Sequence, residues 1–197
     1  MSEAATARAV RESAVREALG REDVAGATSQ TLELYGYELF RFLRATLRDE
    51  ARAEDAYQEL CIQIFRALPR FEWRSSLRTW AFRLARHTLG RAHRSARHRE
   101  AQLGTAEESA LVARWTRTVT AEWRRTAARD RLRERTAALP EEDRSIVTLR
   151  IRDRMSWKEI ARILGPEDAP DEAVATEAAR LRKRYERIKA QLREELA

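Results

Sequence analysis

Two short stretches of the chain concentrate its positive charge. Seven arginines and one acid lie between Ser76 and Glu100, and seven basic residues and one acid lie between Arg180 and Arg193. Each stretch has a net charge of +6, against +7 for the whole chain. Guanidinium groups suit bidentate contact with phosphate and guanine, and aromatic residues accompany both stretches. The pattern is typical of a nucleic-acid-binding protein; a solvated helix face is the alternative interpretation of any single charge run.

A third stretch, Asp49–Glu59, has the opposite sign. It holds five acids and one arginine, a net charge of −4, which disfavours contact with DNA. We expect this surface to face a basic protein partner, or else to be the ordinary exposed start of a helix. Charge alone leaves both interpretations open.

No arrangement of residues in the chain indicates catalysis. The single cysteine, Cys61, excludes an internal disulfide and a multi-thiolate site, and the three histidines share one arginine-rich stretch that repels cations. We find no catalytic triad, metal constellation or phosphate loop, so we predict a protein that is not an enzyme and uses no cofactor. Cys61 is expected to be a small buried residue. Without an apolar run of about 20 residues or a signal-type N-terminus, we expect a cytoplasmic protein with no membrane insertion.

The elements that position these charges are predicted to be helices. Six glycines and four prolines are few for 197 residues, and apolar residues recur mostly at helical spacing. We therefore predict an all-α fold with two small helical domains. The divisions are an N-terminal extension (1–30), a first domain (31–100), a linker (101–128) and a second domain (129–197). Helices are expected near 6–19, 32–47, 53–68, 76–99, 111–139, from 140, over 157–164 and up to the C-terminus, with breaks at Gly20 and Gly26.

The second domain contains a helix-turn-helix pattern. Pro140 and the acids after it are typical of a helix start, and Ser156 with Glu159 forms a capping box for the next helix. The basic helix near Arg180 would then enter the major groove. An autonomous helix-turn-helix regulator that binds DNA as a dimer is an alternative function. The other basic stretch and the lack of an obvious dimerisation helix argue against it.

Four runs of residues resemble the extracytoplasmic-function (ECF) family of RNA polymerase sigma factors. They are D-x-x-Q-E at 55–59, S-S-x-R-T-W at 75–80, L-P-E-E-D-R at 139–144 and S-W-K-E-I-A at 156–161. The resemblance covers about residues 34–100 and 130–197, and it identifies the two domains with sigma domains two and four. It implies a subunit that binds core RNA polymerase and directs promoter-specific transcription initiation at −10 and −35 elements.

The resemblance also implies which residues make each contact. The clamp helices of the largest polymerase subunit would be bound by Asp55, Gln58 and Glu59. The −10 DNA would be bound by Phe71, Trp73, Arg74, Ser75, Ser76, Arg83, Arg86, His87, Arg91 and Arg94. The −35 DNA would be bound by Arg180, Arg182, Lys183, Arg184 and Arg187. The linker would thread toward the template and RNA channel, and an anti-sigma factor is the usual regulator.

The loop 71–76 offers the aromatic rings and polar groups that hold a base flipped out of its stack, whereas for Trp80 we favour core packing.

Two features depart from the family pattern. His87 stands near the flipped base, where many relatives carry asparagine. The connection from Gly165 to Arg180 is longer and more acidic than usual, so we expect an extended turn or extra helical turns there. Its acids would stabilise the start of the following helix and point away from DNA.

Overall fold

A computed structural model describes residues 3–92, 105–126, 136 and 138–194. Within these residues every regular element is helical, which confirms the all-α prediction. The elements are α1 (Glu3–Gly20), α2 (Val24–Leu47), α3 (Glu50–Ala67), a 3-10 turn (Leu68–Arg70), α4 (Leu77–Ala92), α5 (Ala106–Thr126), α6 (Glu141–Val147), a π-helical turn (Thr148–Arg152), α7 (Trp157–Leu164) and α8 (Asp171–Glu194). None of these helices is both long and apolar enough to cross a membrane.

The first lobe, α1–α5, is organised around α2. Asp23 caps this helix by accepting a hydrogen bond from the amide of Gly26 at 2.7 Å, so α2 starts before the predicted residue 32. The predicted break at Gly26 is wrong, because this glycine lies in the first turn of the helix. The Asp23 carboxylate fills the space that a Cβ would need there. Arg48 ends α2 in the left-handed conformation, with φ of 62°, and Asp49 caps α3.

Aromatic residues fill the core between α2, α3 and α4. Phe40 meets Tyr57 edge to face with ring centroids 5.5 Å apart, and Phe42 meets Phe82 at 5.6 Å. Such pairs contribute about 0.5–1.5 kcal/mol beyond the area they bury. Cys61 lies in the same core with no exposed surface, as predicted. Burial raises the pKa of its thiol well above the ordinary value.

The N-terminal extension contributes to the first lobe. Helix α1 packs along α2 and buries Val15 and Ala18 completely. The hydroxyl of Tyr35 on α2 donates to Glu12 Oε1 at 2.6 Å. The extension therefore forms part of the folded lobe and carries its own share of the core.

Helix α5 occupies most of the predicted linker and lies against α2 and α3, with Val119 and Trp123 buried. Gly36 of α2 leaves room for α3, because a Cβ there would lie only 2.6 Å from the Tyr57 hydroxyl oxygen, whereas its distance to Val119 Cγ2 of α5 would be an ordinary 3.5 Å. The described helix ends at Thr126, within the longer helix predicted over 111–139; residues 127–135 lie outside the described residues. The role of 101–128 as a linker stays a prediction.

The second lobe consists of α6, the π-helical turn, α7 and α8. Its capping box forms as predicted: Ser156 Oγ accepts from the amide of Glu159 at 3.3 Å, and Glu159 Oε2 accepts from the amide of Ser156 at 2.7 Å. Ile160 and Ile163 are buried. Because α8 is one uninterrupted helix, the long connection before Arg180 contains extra helical turns.

The two lobes pack against each other. Helix α4 contacts α7, α2 contacts α6, and most buried apolar residues of both lobes form one continuous core. A small separate cluster in the second lobe contains Leu139, Val147 and Ile188. This arrangement brings the arginine-rich helix α4 directly beside the helix-turn-helix unit.

Candidate nucleic-acid interface

The loop before α4 presents a group of aromatic rings. Phe71 lies 4.8 Å from Trp73 at a tilt of 46° and stacks on Trp80 at 4.8 Å and 28°. Trp73 adopts a φ of 58°, a conformation that costs a bulky residue on the order of 1–3 kcal/mol. All three rings are half-buried. Trp80 packs on the core, as we favoured, and also borders the cleft described below.

The polar residues of the loop divide into exposed and structural groups. Arg74 is exposed and pairs with Glu72 at 2.6 Å. Ser76 Oγ accepts from the amide of Thr79 at 3.1 Å, the contact of a helix N-cap, so Ser76 positions the start of α4. Ser75 is half-buried, and its hydroxyl donates to the carbonyl of Ser76 at 3.3 Å.

Arg83 on α4 is engaged by the second lobe. Its guanidinium donates to the carbonyl oxygen of Arg162 at 3.0 and 2.6 Å, to that of Glu167 at 3.2 Å and to that of Pro166 at 3.4 Å. Only 14% of the Arg83 side chain is exposed. A residue that we predicted to bind DNA thus makes contacts within the chain here.

The other predicted residues of the basic stretch have varied surroundings. Arg86 is half-buried and His87 is exposed. The side chain of Arg91 and the whole of Arg94 lie outside the described residues. Arg78 contributes to the charge of the stretch, but it is buried and pairs with Glu38 at 2.8 Å. Its guanidinium is therefore paired within the protein and does not face DNA.

A cleft of about 450 Å³ separates the aromatic loop and α4 from the turn after α7. Arginines from both lobes border it together with Glu167 and Asp168 of that turn and Asp171 at the start of α8. The lining residues are Arg70, Phe71, Glu72, Arg74, Ser75, Trp80, Arg83, Arg162, Pro166, Glu167, Asp168, Ala169, Asp171 and Val174. The cleft combines stacking surfaces with cations, the combination that suits a single nucleic-acid strand.

The extension supplies a residue that sequence reasoning missed. The guanidinium carbon of Arg16 on α1 lies 4.1 Å from the centre of the Trp73 ring, a cation–π contact. No signal in the sequence pointed to it, because the packing of α1 beside this loop depends on tertiary contacts.

The predicted polymerase-binding residues Asp55, Gln58 and Glu59 share one face of α3, as their spacing requires, and all three are half-buried. Glu59 Oε1 accepts from Gln63 Nε2 at 2.7 Å. Nearby, Arg124 of α5 contacts Glu50 at 3.0 Å and Glu54 at 3.1 Å. Part of the acidic stretch is therefore neutralised within the chain, and the polymerase contact stays a prediction.

The basic residues of α8 are not equivalent. Four of the predicted −35 residues are exposed: Arg180, Arg182, Lys183 and Arg187. Arg184 is half-buried, with Nε 2.6 Å from Asp143 Oδ1 and Nη1 2.9 Å from Glu142 Oε2 on α6. Arg184 holds α8 against α6 in this structure, so its contact with a base stays a prediction that requires these pairs to open.

Asp153 is a buried carboxylate at the junction of the lobes, and no pattern in the sequence indicated its role. It pairs with Arg41 of α2, and its carbonyl accepts from Arg78 Nη2 at 2.8 Å. Burial raises the pKa of Asp153 to about 6, against the opposing effect of Arg41. A second junction contact joins Arg144 to the carbonyl of Thr46 at 3.0 and 2.6 Å.

Comparison with known proteins assigns both lobes. Residues 32–99 match the Sigma-70 region 2 family, and residues 129–184 match the Sigma-70, region 4 family. The ECF RNA polymerase sigma factor SigX of Bacillus subtilis is 36% identical over 55 residues, which are 28% of this chain and 28% of that relative. The chain therefore matches only about a quarter of that curated relative, whereas the two regions together cover more than half of the chain. With both regions present in this order, the chain belongs to the sigma-70 family.

Proposed function

We propose that the chain is a detachable specificity subunit of RNA polymerase that directs promoter-specific transcription initiation. The observation that carries this proposal is the presence of both sigma-70 regions in one chain, each with a basic helix. The proposed partners are core polymerase and promoter DNA. The subunit performs no chemistry of its own and acts in the cytoplasm.

In this proposal α3 binds the polymerase. Asp55, Gln58 and Glu59 offer carboxylate and amide oxygens on one helical face, and they would contact the clamp helices of the largest subunit. The net charge of −4 over Asp49–Glu59 would attract a basic partner and keep this surface away from DNA. An anti-sigma factor would act by covering such surfaces.

The two DNA elements are bound by different chemistry. The loop around Phe71 and Trp73 stacks bases of the melted −10 strand, with the arginines of α4 beside the backbone. Helix α8 enters the major groove of the −35 duplex, where the exposed Arg180 reaches guanine and neighbouring cations reach phosphate. One lobe thus binds single-stranded DNA and the other binds a duplex.

A run-off transcription assay tests the proposal. Core polymerase is mixed with the full chain and with a template that carries the promoter upstream of the chain's own gene. The expected result is a transcript of defined length that requires both proteins. A chain that fails to co-purify with core polymerase, and that yields no transcript, would contradict the proposal.

A further inference from the structure

Helix α1 brings a cation to the aromatic loop, although this helix lies outside the Sigma-70 region 2 match at 32–99. We infer that Arg16 is a further DNA-binding residue of the −10 site. Its guanidinium binds a backbone phosphate of the single strand whose bases stack on the loop around Trp73. The inference rests on the proposed function and adds to its −10 site a residue from the N-terminal extension.

Arg16 is the exposed end of a series of four groups in contact. Its guanidinium carbon lies 4.1 Å from the centre of the Trp73 ring. The Trp73 and Phe71 rings are 4.8 Å apart, and the Phe71 and Trp80 rings are also 4.8 Å apart. The three rings are half-buried, whereas Arg16 is exposed. The series therefore joins α1 to α4 through the loop that is proposed to stack bases, and its outer end carries a positive charge.

The guanidinium of Arg16 has donors available for a ligand. A cation above an aromatic ring is attracted to the ring face and uses no N–H donor on an oxygen. Within the part of the chain that the structure describes, Arg16 makes no hydrogen bond or ion pair. By contrast, Arg74 pairs with Glu72 at 2.6 Å, and Arg83 bonds to carbonyls of the second lobe. Arginine carries five donors in a planar fork that matches a phosphate.

Helix α1 is anchored on both sides of Arg16. Val15 and Ala18 are completely buried against the first lobe. One turn earlier, Glu12 Oε1 accepts from the hydroxyl of Tyr35 on α2 at 2.6 Å. A side chain on a helix with buried anchors projects in a defined direction, as a binding site requires. Arg16 is therefore presented to the loop from a fixed element.

The same contact holds the stacking ring. Trp73 has a φ of 58°, which bulky residues rarely adopt and which persists only where the surrounding structure imposes it. Arg16 from α1 and Phe71 from the loop supply such contacts. Arg16 thus links the position of the ring to the position of a phosphate-binding group. A site that holds a nucleotide by both base and backbone needs this link.

Replacing Arg16 in the complex of the full chain with core polymerase tests the inference. The variants are Arg16→Ala and Arg16→Lys. The matched control is Arg11→Ala, which removes the same charge from another exposed position of α1. The probe is a labelled single strand that carries the −10 region of the promoter upstream of the gene. Its dissociation constant is measured by fluorescence anisotropy at several salt concentrations.

We expect Arg16→Ala to weaken binding of the strand about two- to fivefold relative to Arg11→Ala, the size expected of one exposed charged pair. The slope of log affinity against log salt concentration should fall by about 0.7, the value for one phosphate contact on a single strand. Arg16→Lys should keep the slope, because it keeps the charge, and should lose less affinity than Arg16→Ala.

Equal affinities and equal salt slopes for Arg16→Ala and Arg11→Ala, with the strand bound by both complexes, would overturn the inference and leave the proposed function intact. A lower affinity of Arg16→Ala with an unchanged slope would also overturn it, because Arg16 would then act only by packing on Trp73. A wild-type complex that does not bind the strand would contradict the proposed −10 contact itself, and the inference with it.

Discussion

Replacing Asp153 with asparagine should remove a part of the chain's stability that depends on pH. The carboxylate has no exposed side-chain surface. Its pKa is raised from 3.8 to about 6, because burial and, to a smaller extent, Glu38 raise it by more than the guanidiniums of Arg41 and Arg78 lower it. The cost of removing the charge from water therefore exceeds the gain from its partners.

The sign of the effect follows from linkage. In the unfolded chain the carboxyl titrates at about 3.9, so the folded state of Asp153 holds its proton more tightly. The contribution of this group to stability is largest at low pH and is lost as the pH rises through 6. With these two pKa values, on the order of 1 kcal/mol is lost between pH 5 and pH 7.5.

Urea unfolding at these two pH values measures the effect. The difference in unfolding free energy between wild type and Asp153→Asn should shift by on the order of 1 kcal/mol in favour of the variant at the higher pH. Asp168→Asn, which removes an exposed carboxylate from the same lobe, is the control for the loss of one negative charge. A wild-type-to-variant difference that is the same at both pH values would refute the reasoning about the buried junction.

Three further predictions concern the proposed contacts. Asp55→Ala with Glu59→Ala should leave the unfolding free energy nearly unchanged, because partly exposed acids contribute little to stability. The affinity for core polymerase should fall markedly, and an unchanged affinity in a polymerase titration would reject the assignment. Trp73→Ala should weaken binding to a single-stranded −10 oligonucleotide by about tenfold or more, since stacking contributes about 1–3 kcal/mol per base, and equal losses on a −35 duplex would point to misfolding instead. Arg180→Ala should reduce the discrimination between bases at one −35 position by about 1–3 kcal/mol. Lys183→Ala should instead weaken binding to all −35 sequences alike and lower the slope of log affinity against log salt concentration by about one. Binding to single-base −35 variants at two salt concentrations separates the two results.

Local signals in the sequence predicted local structure well. The capping box at Ser156 and Glu159 formed as expected, because it depends on two residues three apart. The start of α2 was placed too late, at residue 32, because Gly26 suggests a break when the cap supplied by Asp23 is not known. Helical spacing cannot show that a neighbouring carboxylate occupies the space beside a glycine.

The charge pattern located the basic stretches of the chain. It could not show which of their arginines and lysines are exposed and available to DNA. Arg78 and Arg83 lie on the same predicted helix as Arg86, yet the first two bond to groups from elsewhere in the chain. The partners of Arg83 are about 80 residues away, at positions 162–167. Such contacts follow from how the lobes pack, and no periodicity within one helix encodes them. The same reason explains why Asp153 and Arg16 were missed.

The burial of Cys61 makes the folded chain unreactive toward thiol reagents. Only the thiolate attacks an alkylating agent, and here burial disfavours the thiolate as well as blocking access. The chain has one cysteine, so every alkylated molecule reports an opening of the first-lobe core. When reclosing is faster than alkylation, the labelling rate gives the free energy of that opening. A single native side chain thus provides a stability probe for one lobe, and cysteines introduced on the surface could be labelled selectively without removing it.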